Sequence, residues 1–298
     1  MIVDKIDVCI PTWNSGSTLA RCLKSIVQEI PINQIRIIDN FSTDDTVKIA
    51  KRFDTSLSQV KCGLGKARQY LIEAVTTKYF AFIDSDVILR KGWFNAVLKK
   101  INSDDRIGEV SGLFFSDNPQ ERHYWEALYG RMKPNDPMWD LRAYMINTLV
   151  RTEAVKGIVI PGWMNNYEDN FIANYGKSKG YQFTYTKNAS CDHMVGESNF
   201  WKTCFGRRYH GAGLRFWKDL DPNVSGRKLL LKSPILLLSA SYATAKTRDP
   251  LIIPFKLLCH LFGIIGYVGS STRLLQRIEK DPVYTRRWSK FKRVQNHD

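Results

Sequence analysis

The strongest constraint on how this chain can fold is an alternation. Four strand-like runs, Ile6–Pro11 (IDVCIP), Gln34–Asp39 (QIRIID), Leu57–Val60 (LSQV) and Tyr79–Ile83 (YFAFI), are separated by three amphipathic, helix-like runs. Those helical runs cover Ser17–Ile30, Ser42–Phe53 and Gly63–Val75, with apolar residues recurring every three or four positions. A βαβαβαβ rhythm predicts a parallel sheet with right-handed crossovers. In such sheets ligands bind beyond the carboxyl ends of the strands. The first, second and fourth strands end in Pro11-Thr12-Trp13-Asn14, Asp39-Asn40 and Asp84-Ser85-Asp86, so these clusters are expected to line one crevice. Further along, Gly108–Phe115 reads as a strand, Tyr167–Gly180 as a helix with acids first and Lys177 and Lys179 late, and Gln182–Asn188 as a strand.

Asp84 and Asp86 stand two residues apart where a buried strand leaves the core. Across a turn, both carboxylates can face one divalent cation. Magnesium and manganese commonly bind through one or two carboxylates plus substrate phosphates. Solvation of a strand-to-loop turn is the competing reading, since Asp and Ser are common there. Two nucleotide motifs are excluded. The stretch VKCGLGKA lacks the first glycine of a P-loop at Val60 and the hydroxyl at Ala67. No GxGxxG follows the first strand, which leads into PTWNSGS instead. Lys66 and Arg68 sit in the first turn of a predicted helix, where the helix dipole disfavours cations, and this points to an anion nearby.

Charge divides the chain in two. Residues 1–200 carry 25 Lys and Arg against 23 Asp and Glu, whereas residues 201–298 carry 19 against 6. The basic part also holds the two most apolar stretches, Arg227–Ala245 and Asp249–Gly269, interrupted by Lys232, Pro234, Pro254, Lys256 and His260. Interrupted apolar runs with cationic rims favour helices lying in a membrane interface over spanning ones. A helical subdomain packed on the first part is the alternative. We therefore expect residues 1–200 to form the catalytic domain and residues 201–298 a helical region at an anionic membrane surface. No secretory signal opens the chain. Six cysteines without CxxC spacing read as reduced, mostly buried thiols of a cytoplasmic protein.

The ordered set PTWN, IIDNFSTD, GLGKARQ, FIDSD and YEDNF, across roughly residues 4–195, resembles the inverting family 2 glycosyltransferases with a GT-A fold. The resemblance implies a mainly parallel, Rossmann-like α/β sheet and a nucleoside-diphosphate sugar donor, UDP- or GDP-linked. It implies that Pro11, Thr12, Trp13 and Asn14 wrap the base, that Asp39 hydrogen-bonds it, and that Gly63, Lys66 and Arg68 lie by the ribose and diphosphate. Asp84 and Asp86, with Ser85 between them, match the family's Asp-x-Asp for Mn2+ or Mg2+, and His193 sits where a further metal ligand often stands. Asp169, beside Glu168, matches the proposed general base; without the resemblance the pair reads as carboxylates satisfying a helix start. Trp163, just ahead of these acids, reads either as a core residue or as the floor of the acceptor site. Phe41 and Gln69 depart from the family pattern, which leaves the base unidentified. With the basic tail, the resemblance implies a lipid-linked acceptor at the cytoplasmic face, with peripheral or monotopic attachment and no nucleic-acid partner. A lipid phosphate, largely ionised at neutral pH with its second pKa near ~6, would need Asp169 for positioning only. A nucleotidyltransferase and a non-catalytic basic binder are the alternatives. PTWNSGSTLARC is a poor match to the first, and retention of the acidic cluster argues against the second.

Overall fold

The computed structural model describes residues 5–116, 145–162, 164–194, 200–201, 203–207, 211 and 233–278. Two compact units emerge: residues 1–160 with 168–198, and residues 161–167 with 199–298.

The first unit is an eight-stranded sheet carrying helices. In chain order it runs β1 (Ile6–Thr12), α1 (Leu19–Glu29), β2 (Ile32–Asp39), α2 (Thr46–Ala50), β3 (Thr55–Gln59), α3 (Leu64–Ala74), β4 (Tyr79–Ile83) and β5 (Val87–Leu89). It continues with α4 (Trp93–Ile101), β6 (Ile107–Ser116), β7 (Asn147–Arg151), α5 (Thr152–Val155), α6 (Glu168–Ser178) and β8 (Gln182–His193). Strand order across the sheet is β3-β2-β1-β4-β7-β6-β8-β5. β3, β2, β1 and β4 are mutually parallel, as the alternation predicts. The chain reverses its direction of travel across the sheet between β1 and β4, which makes their carboxyl ends a switch point. β1 and β4 are buried along their whole length, so their sequences do not alternate: β4 is a continuous apolar run, and β1 is interrupted by Asp7, which is buried against Arg36 at 3.1 Å, and closed by Thr12. α1 covers the sheet with Leu19, Cys22, Leu23 and Ile26, all fully buried. Each such large aliphatic side chain contributes roughly 1.5–3 kcal/mol by leaving water.

The sheet is mainly parallel, as expected, and β7 pairs antiparallel with β4 and β6, and β5 antiparallel with β8. One difference from the sequence reading has a local cause. The expected helix over Ser42–Phe53 is confined to α2 because the preceding residues are committed elsewhere. Asp44 accepts the Gly16 N–H at 2.8 Å and the Thr46 N–H at 3.0 Å, while the Ser42 N–H is held by Asp39 at 2.9 Å. Side chains that bond nearby backbone in this way compete with helix formation. Gly16 is required at this close approach, since a Cβ there would lie 2.9 Å from Asp44 Oδ2.

The second unit contains helical residues 203–207, α7 (Ser233–Thr247) and α8 (Ile252–Ile278). Phe255 and Cys259 of α8 are buried with Cys204, whose Sγ lies 3.6 Å from that of Cys259. Phe205 packs on Phe262 with ring centroids 4.6 Å apart. By length and composition α8 holds one stretch, Ile252–Gly269, apolar enough to cross a membrane.

Candidate active site

At the carboxyl end of β1 the buried Thr12 donates its hydroxyl to Asp39 Oδ1 at 3.0 Å, joining β1 to β2. Asp39 is fully buried; its Oδ2 also accepts from Gln59 at 3.0 Å and from the Ser42 N–H. Both oxygens of Asp39 are thus used to fix the loops after β1, β2 and β3. Asn14 continues this lattice, its N–H donating to Ser42 Oγ at 2.8 Å and its Oδ1 accepting the Thr43 N–H at 2.9 Å. Asn14 (φ 49°) and Phe41 (φ 50°) adopt the left-handed region that non-glycine residues rarely occupy. Such strain persists where surrounding bonds over-determine the backbone, and it concentrates at ligand sites. The result is a rigid rim that presents two large aromatics to solvent, Trp13 at 66% and Phe41 at 55% exposure. Pro11 is buried in β1. Gly63 caps α3 at its amino end, and Lys66 lies over the Tyr70 ring, 5.1 Å from its centroid.

The centre of the site is Arg68, which is 2% exposed. Its Nη2 donates to Asp84 Oδ1 at 3.0 Å, its Nε to Glu168 Oε1 at 3.2 Å and its Nη1 to the Met145 carbonyl at 3.3 Å. The guanidinium also stacks over Phe82, 5.0 Å from the ring centroid. A buried charge persists only when paired and hydrogen-bonded, and here one cation holds a carboxylate from the end of β4 and another from the start of α6. All three guanidinium nitrogens are engaged, so Arg68 acts here as the clamp between two carboxylates. Burial pushes Asp84 up to about 6, with Arg68 pulling against the shift and Asp86 adding to it.

Asp84, Ser85 and Asp86 form the turn into β5. Ser85 Oγ and Ser15 Oγ lie 2.7 Å apart, tying the turn to the loop after β1. Asp86 Oδ2 is 3.3 Å from His193 Nε2, and β5 pairs Val87 with His193, which brings the ring to the carboxylate. Asp86 Oδ1 is buried without a hydrogen-bond partner among the described residues. That orphaned anionic oxygen is what a hard divalent cation satisfies, and the residues fit one. Among the described residues no three His, Cys, Asp or Glu side chains converge into a closed cage. Mg2+ and Mn2+ need none, because phosphate oxygens complete a two-carboxylate site.

α6 opens with Glu168 and Asp169, where the helix dipole favours carboxylates. Asp169 Oδ1 accepts its neighbour's backbone, the Asn170 N–H, at 2.7 Å. Burial, reinforced by the adjacent Glu168 carboxylate, pushes Asp169 up to about 8, so it is poised to exchange a proton near neutrality. Trp163 lies outside the described residues.

Glu109, on β6, escaped the sequence reading. It is 2% exposed, both its carboxylate oxygens lack partners among the described residues, and one lies 3.7 Å from where a Cβ on Gly176 of α6 would stand. Burial pushes it up to about 8; the Asp169 charge adds to the shift and Lys177 opposes it. The folded chain therefore keeps this proton over the pH range in which the unfolded chain has lost it. An acid raised in this way costs stability progressively as pH rises from its unfolded value of 4.5 to about 8. The cost is on the order of 2–4 kcal/mol across that window. Glu109→Gln removes it, so the melting temperature of the variant, relative to wild type, should climb steadily between about pH 5 and pH 8 in matched thermal melts. A pH-independent difference would mean that Glu109 is ionised in the fold.

Comparison with known proteins follows the same lines. The model of the family described as glycosyl transferase family 2 matches residues 7–171. The chain is 37% identical over 90 residues to the uncharacterized glycosyltransferase YibD of Escherichia coli, covering 28% of this chain and 26% of that one. It spans a similarly small part, 20% and 41%, of two other curated relatives. Among solved structures, the mannosyltransferase PcManGT of Pyrobaculum calidifontis, in complex with GDP-Man and Mn2+, superposes with a TM-score of 0.56 at 16% identity, covering 86% of this chain and 73% of that one. Residues 1–349 of S. aureus TarS, in complex with UDP, superpose with a TM-score of 0.53 at 16% identity, covering 92% of both chains. At these identities the likeness is one of fold, the GT-A type.

Proposed function

The chain belongs to glycosyl transferase family 2, and we propose that it is a metal-dependent, inverting glycosyltransferase using a UDP- or GDP-linked sugar and a lipid-linked acceptor. The observation that carries this reading is the clamp on Arg68. One buried guanidinium joins Asp84, beside the turn that fits a cation, to Glu168, beside the raised Asp169. Metal-side and base-side carboxylates are thereby held in one constellation at the carboxyl ends of β1 and β4.

In this reading Trp13 and Phe41 offer exposed ring faces to the base, and the lattice on Asp39 and Asn14 keeps those faces in place. Asp84 and Asp86 hold a Mn2+ or Mg2+ ion, with His193 orienting Asp86. Bound there, the ion supplies Lewis-acid neutralisation of the diphosphate as negative charge grows on it. Asp169 takes the proton from an acceptor hydroxyl, whose oxygen bonds to the anomeric carbon from the face opposite the diphosphate. The glycosidic carbon–oxygen bond breaks on the other side, the nucleoside diphosphate leaves with that electron pair, and configuration inverts. Arg68 keeps Asp84 and Glu168 fixed while the charge moves, so no reorganisation is needed at the moment of reaction.

Residues 1–200 then form the catalytic part and residues 201–298 the part that holds the chain to the cytoplasmic face of an anionic membrane, where a lipid-linked acceptor is found. The neighbours' ligands, UDP in TarS and GDP-Man with Mn2+ in PcManGT, support the donor class and a divalent ion. The test is a panel of UDP- and GDP-sugars with and without polyprenyl-phosphate acceptors, read as nucleoside diphosphate release. The expected result is release that needs a divalent cation and rises with lipid acceptor. Pyrophosphate release from a sugar 1-phosphate and a nucleoside triphosphate would overturn it in favour of a nucleotidyltransferase.

A further inference from the structure

The second unit buries a lysine while exposing a row of large apolar residues. Lys256, in the middle of the apolar α8, is only 6% exposed, and its Nζ donates to the Ser239 carbonyl at 3.3 Å and to Ser239 Oγ at 3.2 Å. Ser239 lies on α7, so the one charged side chain of Ile252–Gly269 is turned inward and clasps the two helices together. Large apolar residues point the other way. Leu257, Leu261, Ile265 and Val268 are exposed, at spacings of four, four and three that put them on one face of α8. On α7, Leu238 is 75% and Tyr242 69% exposed. A helical hairpin in water buries its large apolar residues and solvates its lysine. This one buries Ile252, Phe255 and the lysine yet leaves these rows in the open, which calls for an apolar phase outside it.

Length decides the mode of contact. α7 has 15 residues, about 22 Å, which falls short of a hydrocarbon core roughly 30 Å thick. α8, at 27 residues, is long enough alone, but the clasp at Lys256 holds α7 alongside it. If α8 crossed, α7 clasped alongside it would enter the bilayer without spanning it and would leave one of its ends, with unsatisfied backbone groups, inside the hydrocarbon core, which is costly. A helix lying in the interface needs only one apolar face. The surroundings are complementary to anionic headgroups: residues 201–298 carry 19 Lys and Arg against 6 Asp and Glu, and Arg273 and Arg277 fall in the last turns of α8.

We propose that α7 and α8 form a monotopic hairpin that lies in the plane of one anionic leaflet, inserting the Leu257–Leu261–Ile265–Val268 face without crossing. This rests on the membrane partner proposed above and adds how the chain holds it. Neighbouring apolar residues do not belong to this face: Leu258 is half-buried and Phe262 packs on Phe205.

The test uses the full chain and flotation with phosphatidylglycerol-containing or pure phosphatidylcholine vesicles. Wild type should float with the anionic vesicles, and high salt should weaken but not abolish binding, because the apolar contact is unscreened. The combined Leu257→Ser, Leu261→Ser and Ile265→Ser variant should bind at least tenfold more weakly while keeping the wild-type circular dichroism. Val268→Asp, a single exposed change, should show a smaller loss and serves if the triple variant misfolds. A C-terminal tag on chain synthesised in the presence of sealed vesicles should stay open to added protease. No binding by wild type overturns the membrane partner itself. Undiminished binding by both variants leaves that partner standing and overturns this face. Protection of the tag overturns the in-plane arrangement. Concentration-dependent self-association without vesicle binding, abolished by the triple variant, would assign the face to a second copy of the chain and overturn the proposal.

Discussion

Asp169→Asn should leave donor binding intact and lower transfer to a hydroxyl acceptor by about 10²–10⁴-fold, the usual contribution of a positioned general base. Asparagine keeps the size of the side chain and an oxygen for the Asn170 N–H, so the start of α6 has no reason to rearrange. What disappears is basicity. Burial and the neighbouring Glu168 push Asp169 up to about 8, and a base works only once ionised. The wild-type rate should therefore climb with pH through that region and flatten above it, whereas the variant should lack that limb. Calorimetric donor affinity together with pH–rate profiles of both proteins checks this. The acceptor class is read from the same variant. A lipid phosphate is largely ionised at neutral pH, its second pKa being near ~6, so with that acceptor the loss should stay below about tenfold. Loss of donor affinity instead would make Asp169 a structural residue.

Asp86→Ala should cost about 10³-fold in turnover with the fold retained. A bound cation contributes several kcal/mol of charge stabilisation, and each ~1.4 kcal/mol is a factor of ten. The substitution removes Oδ1, which has no hydrogen-bond partner among the described residues, and costs only the Oδ2 contact to His193, so little protein structure depends on it. The melting temperature should hold or rise while Mn2+ binding, followed by electron paramagnetic resonance, is lost. Turnover of the wild type that survives a strong chelator unchanged would sink the metal assignment.

How much of this was legible in the sequence depends on the range over which each feature is encoded. β1 and β4 were readable because strands buried on both faces are predominantly apolar (Asp7 is the one charge inside β1), and the polar clusters at their ends stand out against them. β5, three residues long, has no period to detect. α2 is shorter than its pattern because Asp44 is committed to Gly16, 28 residues earlier, and Ser42 to the turn made by Asp39. Glu109 sits in GEVSGLFF, where a polar residue in an alternating strand reads as solvent-facing; only the packing of α6 against β6 reveals it as buried. Arg68 was visible as a misplaced cation near a helix start, and an anionic ligand was the natural explanation. Its partners turned out to be carboxylates of the chain itself, one of them 100 residues away, and no spacing rule reaches that far.

That separation has a consequence for how the protein is made. β1 through β4 and α3 can form once the chain has emerged as far as β4, since their mutual pairings all lie within that stretch. Arg68 cannot be completed then, because Glu168 is still 100 residues from synthesis. At roughly 5–20 residues per second, a bacterial or cellular ribosome leaves the guanidinium half-paired for about 5–20 s. The entropy of closing so long a loop grows only slowly with its length, so the pairing is late rather than unfavourable. The crevice accordingly matures after β1 through β4, and a nascent chain arrested before residue 168 should carry a formed β-sheet nucleus with no competent site.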